Sequence, residues 1–101
     1  MKGLTDRQAQ VMRAIIEYWS EHGYPPTMRE LCRLLGIRST HAIADNFEYL
    51  AKKGVLRICR ARSRAIELSP EYMRYVVRGM ARRWAVPLAD DPTRSIEQTQ
   101  E

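Results

Sequence analysis

Cysteine is scarce in this sequence. Among 101 residues only Cys32 and Cys59 carry thiols, too few for a disulfide framework or a Cys-rich zinc site. Both read as reduced thiols at partly buried positions of a cytosolic protein. Long apolar runs are missing too, since no stretch approaches the roughly 20 residues that cross a bilayer. The opening Met1-Lys2-Gly3-Leu4-Thr5-Asp6 turns polar at once. Without an apolar signal core secretion is not expected, and a cytoplasmic location is. A Gly-rich phosphate loop is lacking. His22, His41, Cys32 and Cys59 show no metal-ligand spacing, and no nucleophile–base pair stands out. The length fits one domain without the deep cleft of a large enzyme. An enzyme is therefore set aside, no cofactor or metal is expected, and a small binding module remains.

What the sequence does have is positive charge. It carries 17 Lys+Arg against 12 Asp+Glu, a net +5. Residues 1–68 hold 12 Lys+Arg and 7 Asp+Glu, whereas residues 69–101 hold 5 of each. The whole excess thus lies in the first two thirds, as in a folded segment that binds a polyanion. Its densest patch, Arg57-Ile58-Cys59-Arg60-Ala61-Arg62-Ser63-Arg64, has four arginines and no acid. Taken alone, such a patch could be a solvated hairpin tip that only aids solubility.

Local signals divide the chain into elements. Thr5-Asp6-Arg7-Gln8 is a capping box, and Val11, Ile15 and Trp19, flanked by Met12 and Ile16, form a helical stripe. That stripe needs only a core to explain it. His22-Gly23 ends the first helix, and Tyr24-Pro25-Pro26 cannot continue it. Thr27-Met28-Arg29-Glu30 is a second capping box, followed by a face of Leu31, Leu34 and Leu35 and a stop at Gly36. Ser39 is a good N-cap for a third helix reaching about Lys53, with Ile43, Phe47 and Leu50 inward. Two short alternating segments, Val55–Arg60 and Arg64–Leu68, read as a hairpin. Ser69-Pro70-Glu71 caps and opens a fourth helix that carries Tyr72, Met73, Val76, Val77, Met80 and Trp84 mostly on one side. Pro87 ends it, and residues 88–101 read as a disordered polar tail.

The order is helix, helix, tight turn, helix, hairpin. It predicts a mainly α winged helix-turn-helix over residues 1–68, with an extra C-terminal helix over 69–87. Projected at about 100° per residue, the third helix turns His41, Asp45, Glu48 and Lys52 outward, with Ala44 on the flank. Its first turn is the part that a recognition helix presents to base edges. His41 can donate to a purine and Asp45 can accept from cytosine N4. Ser39 and Thr40 can touch bases or phosphates, and Ala42 or Ala44 can meet a thymine methyl. Plain solvent exposure is the alternative for each residue taken singly. The flanking cations count against it for the helix as a unit. Arg29, Arg33, Arg38, Lys52 and Lys53 border the helix, and Arg57, Arg60, Arg62 and Arg64 load the hairpin, where phosphates would lie.

Several spaced motifs carry a family resemblance. Leu4-Thr5-x-Arg7-Gln8, Gly23-Tyr24-Pro25-Pro26-Thr27, Leu35-Gly36-Ile37-Arg38-Ser39, Leu50-Ala51-Lys52-Lys53-Gly54-Val55 and Ser63-Arg64-Ala65-Ile66 occur in fixed order. Together they resemble the N-terminal DNA-binding domain of LexA, the SOS-response repressor, from about Met1 to Leu68. The resemblance implies a winged helix-turn-helix that binds operator DNA and represses transcription. LexA repressors usually continue into a self-cleaving, dimerising peptidase domain with a Ser/Lys dyad. The sequence given ends at Glu101, so autocleavage is not expected of it. The family's recognition helix typically opens Ser-Pro-Asn-Ala and then a Glu pair. Here Ser39 and Ala42 are kept, while His41 replaces the Asn, and Ala44 and Asp45 replace the Glu pair. The resemblance therefore carries over the scaffold and not the usual SOS operator sequence.

Double-stranded DNA is thus the expected partner, with a homodimer as the expected binding form and no membrane. Met73, Val76, Val77, Met80 and Trp84 form the candidate face for pairing two protomers or docking a partner, unless the helix folds back on the winged domain. The rival function is a protein-interaction module that modulates another regulator or RNA polymerase. Neutralising the wing arginines separates the two.

Overall fold

Thr5, in extended backbone, accepts the Gln8 amide at 3.1 Å while Gln8 Oε1 accepts the Thr5 amide at 3.1 Å. This reciprocal cap opens α1, Asp6–His22, and Gly23 closes it by donating to the Trp19 carbonyl at 2.8 Å. Thr27 and Glu30 repeat the motif at the start of α2, Met28–Leu35. The other elements are α3 (Thr40–Lys52), β1 (Leu56–Ile58), β2 (Ile66–Leu68) and α4 (Pro70–Trp84). The computed structural model describes residues 3–59 and 64–84. Arg60, Arg62, the Pro87 stop and the tail over 88–101 lie outside the described residues. The mainly helical architecture with one antiparallel hairpin is the expected winged helix-turn-helix.

Gly36 makes the turn between α2 and α3. Its φ of +68° lies in the left-handed region, and there the chain reverses while Ile37 donates to the Cys32 carbonyl at 2.8 Å. The apolar face of α2 differs from the sequence pattern. Leu31 and Cys32 are buried and Leu35 is half-buried, but Leu34 is 56% exposed. Met28, Leu31, Cys32 and Leu35 share an arc of about 100°, and Leu34 falls outside it. Contact with both α1 and α3 aims this arc at the core, so Cys32 takes the place expected of Leu34.

Leu56 pairs with Leu68, Arg57 with Glu67 and Ile58 with Ile66 across the hairpin. The ladder is shorter than the two alternating segments, with further bonds from Cys59 to the Ala65 carbonyl (2.7 Å) and Ser69 to the Val55 carbonyl (3.0 Å). Leu56, Ile66 and Leu68 join Val11, Met12, Ile15, Leu31, Ile43, Phe47 and Leu50 in one core. The outward Arg57 and Glu67 form an ion pair. Ser69 opens α4 through its carbonyl, which accepts from Tyr72 (3.0 Å) and Met73 (2.9 Å). Its hydroxyl, expected to cap, is buried without a hydrogen-bond partner among the described residues.

The apolar side of α4 revises the expected interface. α4 packs along α1 and adds Tyr72 and Val76 to the core. Val76 is fully buried, and Met73 and Met80 are half-buried against the same cluster. These three therefore serve this chain's own interior, and Val76 offers no surface to a second protomer in this arrangement. Val77 and Trp84 remain exposed. The physical reason is a close small-residue contact that sequence spacing does not reveal. Gly79 lies on Ser20, whose hydroxyl donates to the Ile16 carbonyl at 2.7 Å and reaches the Val76 carbonyl at 3.4 Å.

Candidate nucleic-acid interface

Ser39 starts α3 by accepting the His41 amide on its hydroxyl at 3.1 Å. The Cys32 thiol lies 3.8 Å from the Ser39 carbonyl, so the buried end of α2 steadies the entry to α3. Ile43, Phe47 and Leu50 fix the roll of α3 by sinking into the core. That roll exposes Ser39, Thr40, His41, Ala42 and Asp45, with Ala44 half-buried beside them. The six residues expected to read bases therefore cluster at the N-terminal end of α3, with the consecutive Ser39, Thr40, His41 and Ala42 winding around that end rather than lying along one face. Asn46 is turned back on its own helix, donating to the Ala42 carbonyl at 3.1 Å. Tyr49, 56% exposed, was not singled out by the sequence, where it reads as one more helix residue. It stands beside Lys52, whose ammonium lies 5.8 Å from the ring centroid.

The cations separate into two groups. Arg29, Arg33 and Arg38 line one shallow hollow with Cys32, Ile37, Ser39 and Thr40. All three are exposed. No acid stands in the first turn of α3, so the positive end of its dipole adds to these guanidinium groups. The hollow thus gathers three basic side chains beside the start of α3. Lys52 and Arg57 are exposed further along, the latter donating to Glu67 from Nε at 3.0 Å.

Lys53 and Arg64 behave differently from the expected phosphate ligands. Lys53 donates to the Gly3 carbonyl and to Gln8 Oε1, each at 2.7 Å, tying the end of α3 to the start of α1. Arg64 turns inward. Its Nη1 donates to Glu30 Oε1 at 2.7 Å and to the Pro25 carbonyl at 2.8 Å, its Nη2 lies 3.3 Å from Glu30 Oε2, and the guanidinium sits 4.3 Å from the Tyr24 ring centroid. Hydrogen bonding from Arg64, then from the Thr27 amide, pulls the Glu30 carboxyl down to about 2. The same pairing raises the Arg64 pKa, and burial followed by the Glu30 carboxylate raises that of Tyr18. The sequence reads Glu30 only as a cap, since a partner 34 residues away leaves no local pattern. Arg60 and Arg62 fall outside the described residues.

This geometry meets a known family. The model described as LexA DNA binding domain matches residues 1–65. The chain belongs to the LexA DNA-binding domain family. The match takes in α1, the helix-turn-helix and the outgoing strand, and stops before β2 and α4. The LexA repressor of Anaeromyxobacter dehalogenans (strain 2CP-1 / ATCC BAA-258) is 39% identical over 94 residues, covering 93% of this chain and 41% of that protein. The LexA repressor of Cellvibrio japonicus (strain Ueda107) is 44% identical over 69 residues, covering 68% of this chain and 34% of that protein. The chain thus spans less than half the length of these LexA relatives. A solved structure described as "Crystal structure of a hypothetical protein at 2.2 A resolution" aligns with a TM-score of 0.59 at 19% identity, covering 86% of this chain and 27% of that one. At that identity it supports the fold alone. No helix among the described residues is long and apolar enough to cross a membrane.

Proposed function

We propose that this chain is a sequence-specific double-stranded DNA-binding transcription repressor of LexA type, working in the cytoplasm without chemistry of its own. The observation that carries this reading is the exposed N-terminal face of α3 beside the Arg29, Arg33 and Arg38 hollow. In it α3 enters the major groove, with Ser39, Thr40, His41, Ala42, Ala44 and Asp45 at the base edges. Arg29, Arg33 and Arg38 hold the phosphate rail at the N-terminal end, and Lys52 and Arg57 hold it further along. Arg60 and Arg62 join them at the wing tip on the strength of the sequence. Phosphate contacts supply affinity and register, and the base contacts supply sequence preference. Two copies on a paired site are proposed, brought together by the spacing of half-sites, because Val76 is buried within its own chain.

Selection of bound sites from random duplexes tests the reading, followed by salt titrations on the selected site and on random DNA. Substituting His41 or Asp45 changes sequence preference by about 1–3 kcal/mol per lost base contact. Arg38→Met weakens binding to all duplexes alike and lowers the salt slope by about 0.9. A chain that binds no duplex at low ionic strength overturns the reading. Retained regulatory activity after the wing arginines are neutralised favours the protein-interaction module.

A further inference from the structure

Arg64 lies two residues before β2, on the returning arm of the wing. Its partners lie elsewhere in the fold. Pro25 belongs to the α1–α2 connection, and Glu30 lies in the first turn of α2. Among the described residues the strands pack on α3, α4 and each other, and neither strand packs on α2. Beside the apolar core that Ile66 and Leu68 share with Leu31, Ile43, Phe47 and Leu50, Arg64 gives the returning arm a directional polar tie to the start of α2. The tie is well made: two nitrogens meet two carboxylate oxygens, a carbonyl takes a further bond, and Tyr24 covers the guanidinium plane. Both charged side chains are about one third exposed, 34% for Arg64 and 28% for Glu30.

Building on the DNA-binding reading, we infer that Arg64 and Glu30 are positioning residues: they lock the wing onto the N-terminus of α2, setting the angle between the wing's phosphate contacts and the α3 reading face. Arg64 is no phosphate ligand in this arrangement, because its charge is matched by Glu30 and its donors are engaged. The matched pair adds little net field at the duplex. What it supplies is geometry, and two separate phosphate-contacting surfaces gain from a fixed spacing because less freedom is lost on binding.

Salt dependence distinguishes a positioning pair from a phosphate ligand. The full chain is titrated with its selected duplex over a range of salt concentrations, as wild type, Glu30→Gln, Arg64→Met, Arg64→Lys and the double variant Glu30→Gln/Arg64→Met. Gln keeps an acceptor for the Thr27 amide, so the α2 cap survives, and thermal unfolding by circular dichroism confirms that each variant folds. Glu30→Gln removes a negative charge close to the polyanion, so simple electrostatics makes binding tighter. Locking makes it weaker, by about fivefold to tenfold, or up to about 1.4 kcal/mol. Arg64→Met weakens binding to the same degree, the double variant is no worse than either single one, and the salt slope stays at the wild-type value. Arg64→Lys gives no rescue, since an ammonium cannot reproduce the two-pronged contact. A slope reduced by about 0.9 in Arg64→Met, together with unchanged or tighter binding by Glu30→Gln, overturns the proposal and makes Arg64 a phosphate ligand. Residual dipolar couplings of the free protein judge the locking without DNA. The wing keeps one orientation relative to α3 in the wild type and loses it in Arg64→Met, and identical couplings in both overturn the proposal. If the wild type binds no duplex, the DNA reading fails while these couplings still decide the locking.

Discussion

Gly79→Ala is the sharpest test of how α4 is seated. On an exposed helix this exchange stabilises a protein by about 1 kcal/mol, because alanine loses less backbone entropy. Here a methyl carbon at position 79 would overlap Ser20 Oγ and stand 2.6 Å from Ser20 Cβ. Carbon atoms in contact prefer about 3.5–4.0 Å, so α4 must move outward by about an ångström. Overpacking of this kind costs about 1–3 kcal/mol. The shift also lengthens the Ser20 bond to the Val76 carbonyl, already 3.4 Å, and loosens the fully buried Val76. The clash outweighs the entropic gain, for a net loss of up to about 2 kcal/mol, seen as a fall in Tm of about 4–8 °C per kcal/mol. Urea and thermal unfolding followed by circular dichroism read it. The paired background gives the sign check: with Ser20→Gly making room, the same Gly79→Ala exchange stabilises. A wild-type background that gains stability from Gly79→Ala refutes the seating of α4 on α1, and with it the burial of Val76.

Two further predictions rest on single sites. The Glu30 carboxyl, held near 2 in the fold by Arg64 and the Thr27 amide against an ordinary 4.5, stabilises the protein fully above about pH 4.5. That contribution fades as the pH falls toward 2, so urea midpoints of wild type and Glu30→Gln differ at pH 7 and converge near pH 2. A gap that persists unchanged at pH 2 contradicts the ion pair. Gly36→Ala places a methyl where nothing lies within 4 Å, so its cost is the left-handed backbone alone, about 1 kcal/mol. Gly36→Asn costs less because asparagine tolerates that conformation, and equal losses for the two variants in equilibrium unfolding contradict this account.

Local physics made much of the fold readable in advance. Both capping boxes join partners three residues apart, so Thr5, Gln8, Thr27 and Glu30 announce helix starts by spacing alone. The stops at Gly23 and Gly36 are equally local. The outward face of α3 followed from the inward set Ile43, Phe47 and Leu50, because helical geometry leaves the remainder no other direction. What stayed hidden depends on residues distant in sequence. Leu34 and Cys32 exchange expected places because α2 is packed from two sides. The apolar stripe of α4 gave no sign of its target, since a face that pairs protomers and one that folds back look alike in sequence. The contact that decides it joins Ser20 to Gly79. Arg64 and Lys53 looked like their neighbours in a basic run, and only the fold reveals their partners Glu30 and Gln8.

Charge counted along the sequence therefore misplaces the positive field of this chain. Counted along the sequence, the arginine density peaks in the wing, and the helix-turn-helix looks like a lesser contributor. In three dimensions Arg64 is neutralised by Glu30, Arg57 is partnered by Glu67, and Lys53 is bonded to the N-terminal segment. Arg29, Arg33 and Arg38 make no hydrogen bond or ion pair to an acid among the described residues. They surround a helix end whose dipole carries the same sign. Internal pairing at the wing root thus shifts the effective positive charge toward the start of α3, beside the side chains that differ from the family's usual recognition sequence. On the proposed reading, phosphate contacts from α2 and the turn after it stand beside the first turn of α3, where the base contacts would be made. That reading expects a change at His41 or Asp45 to alter the preferred site while the contacts proposed for Arg29, Arg33 and Arg38 stay intact.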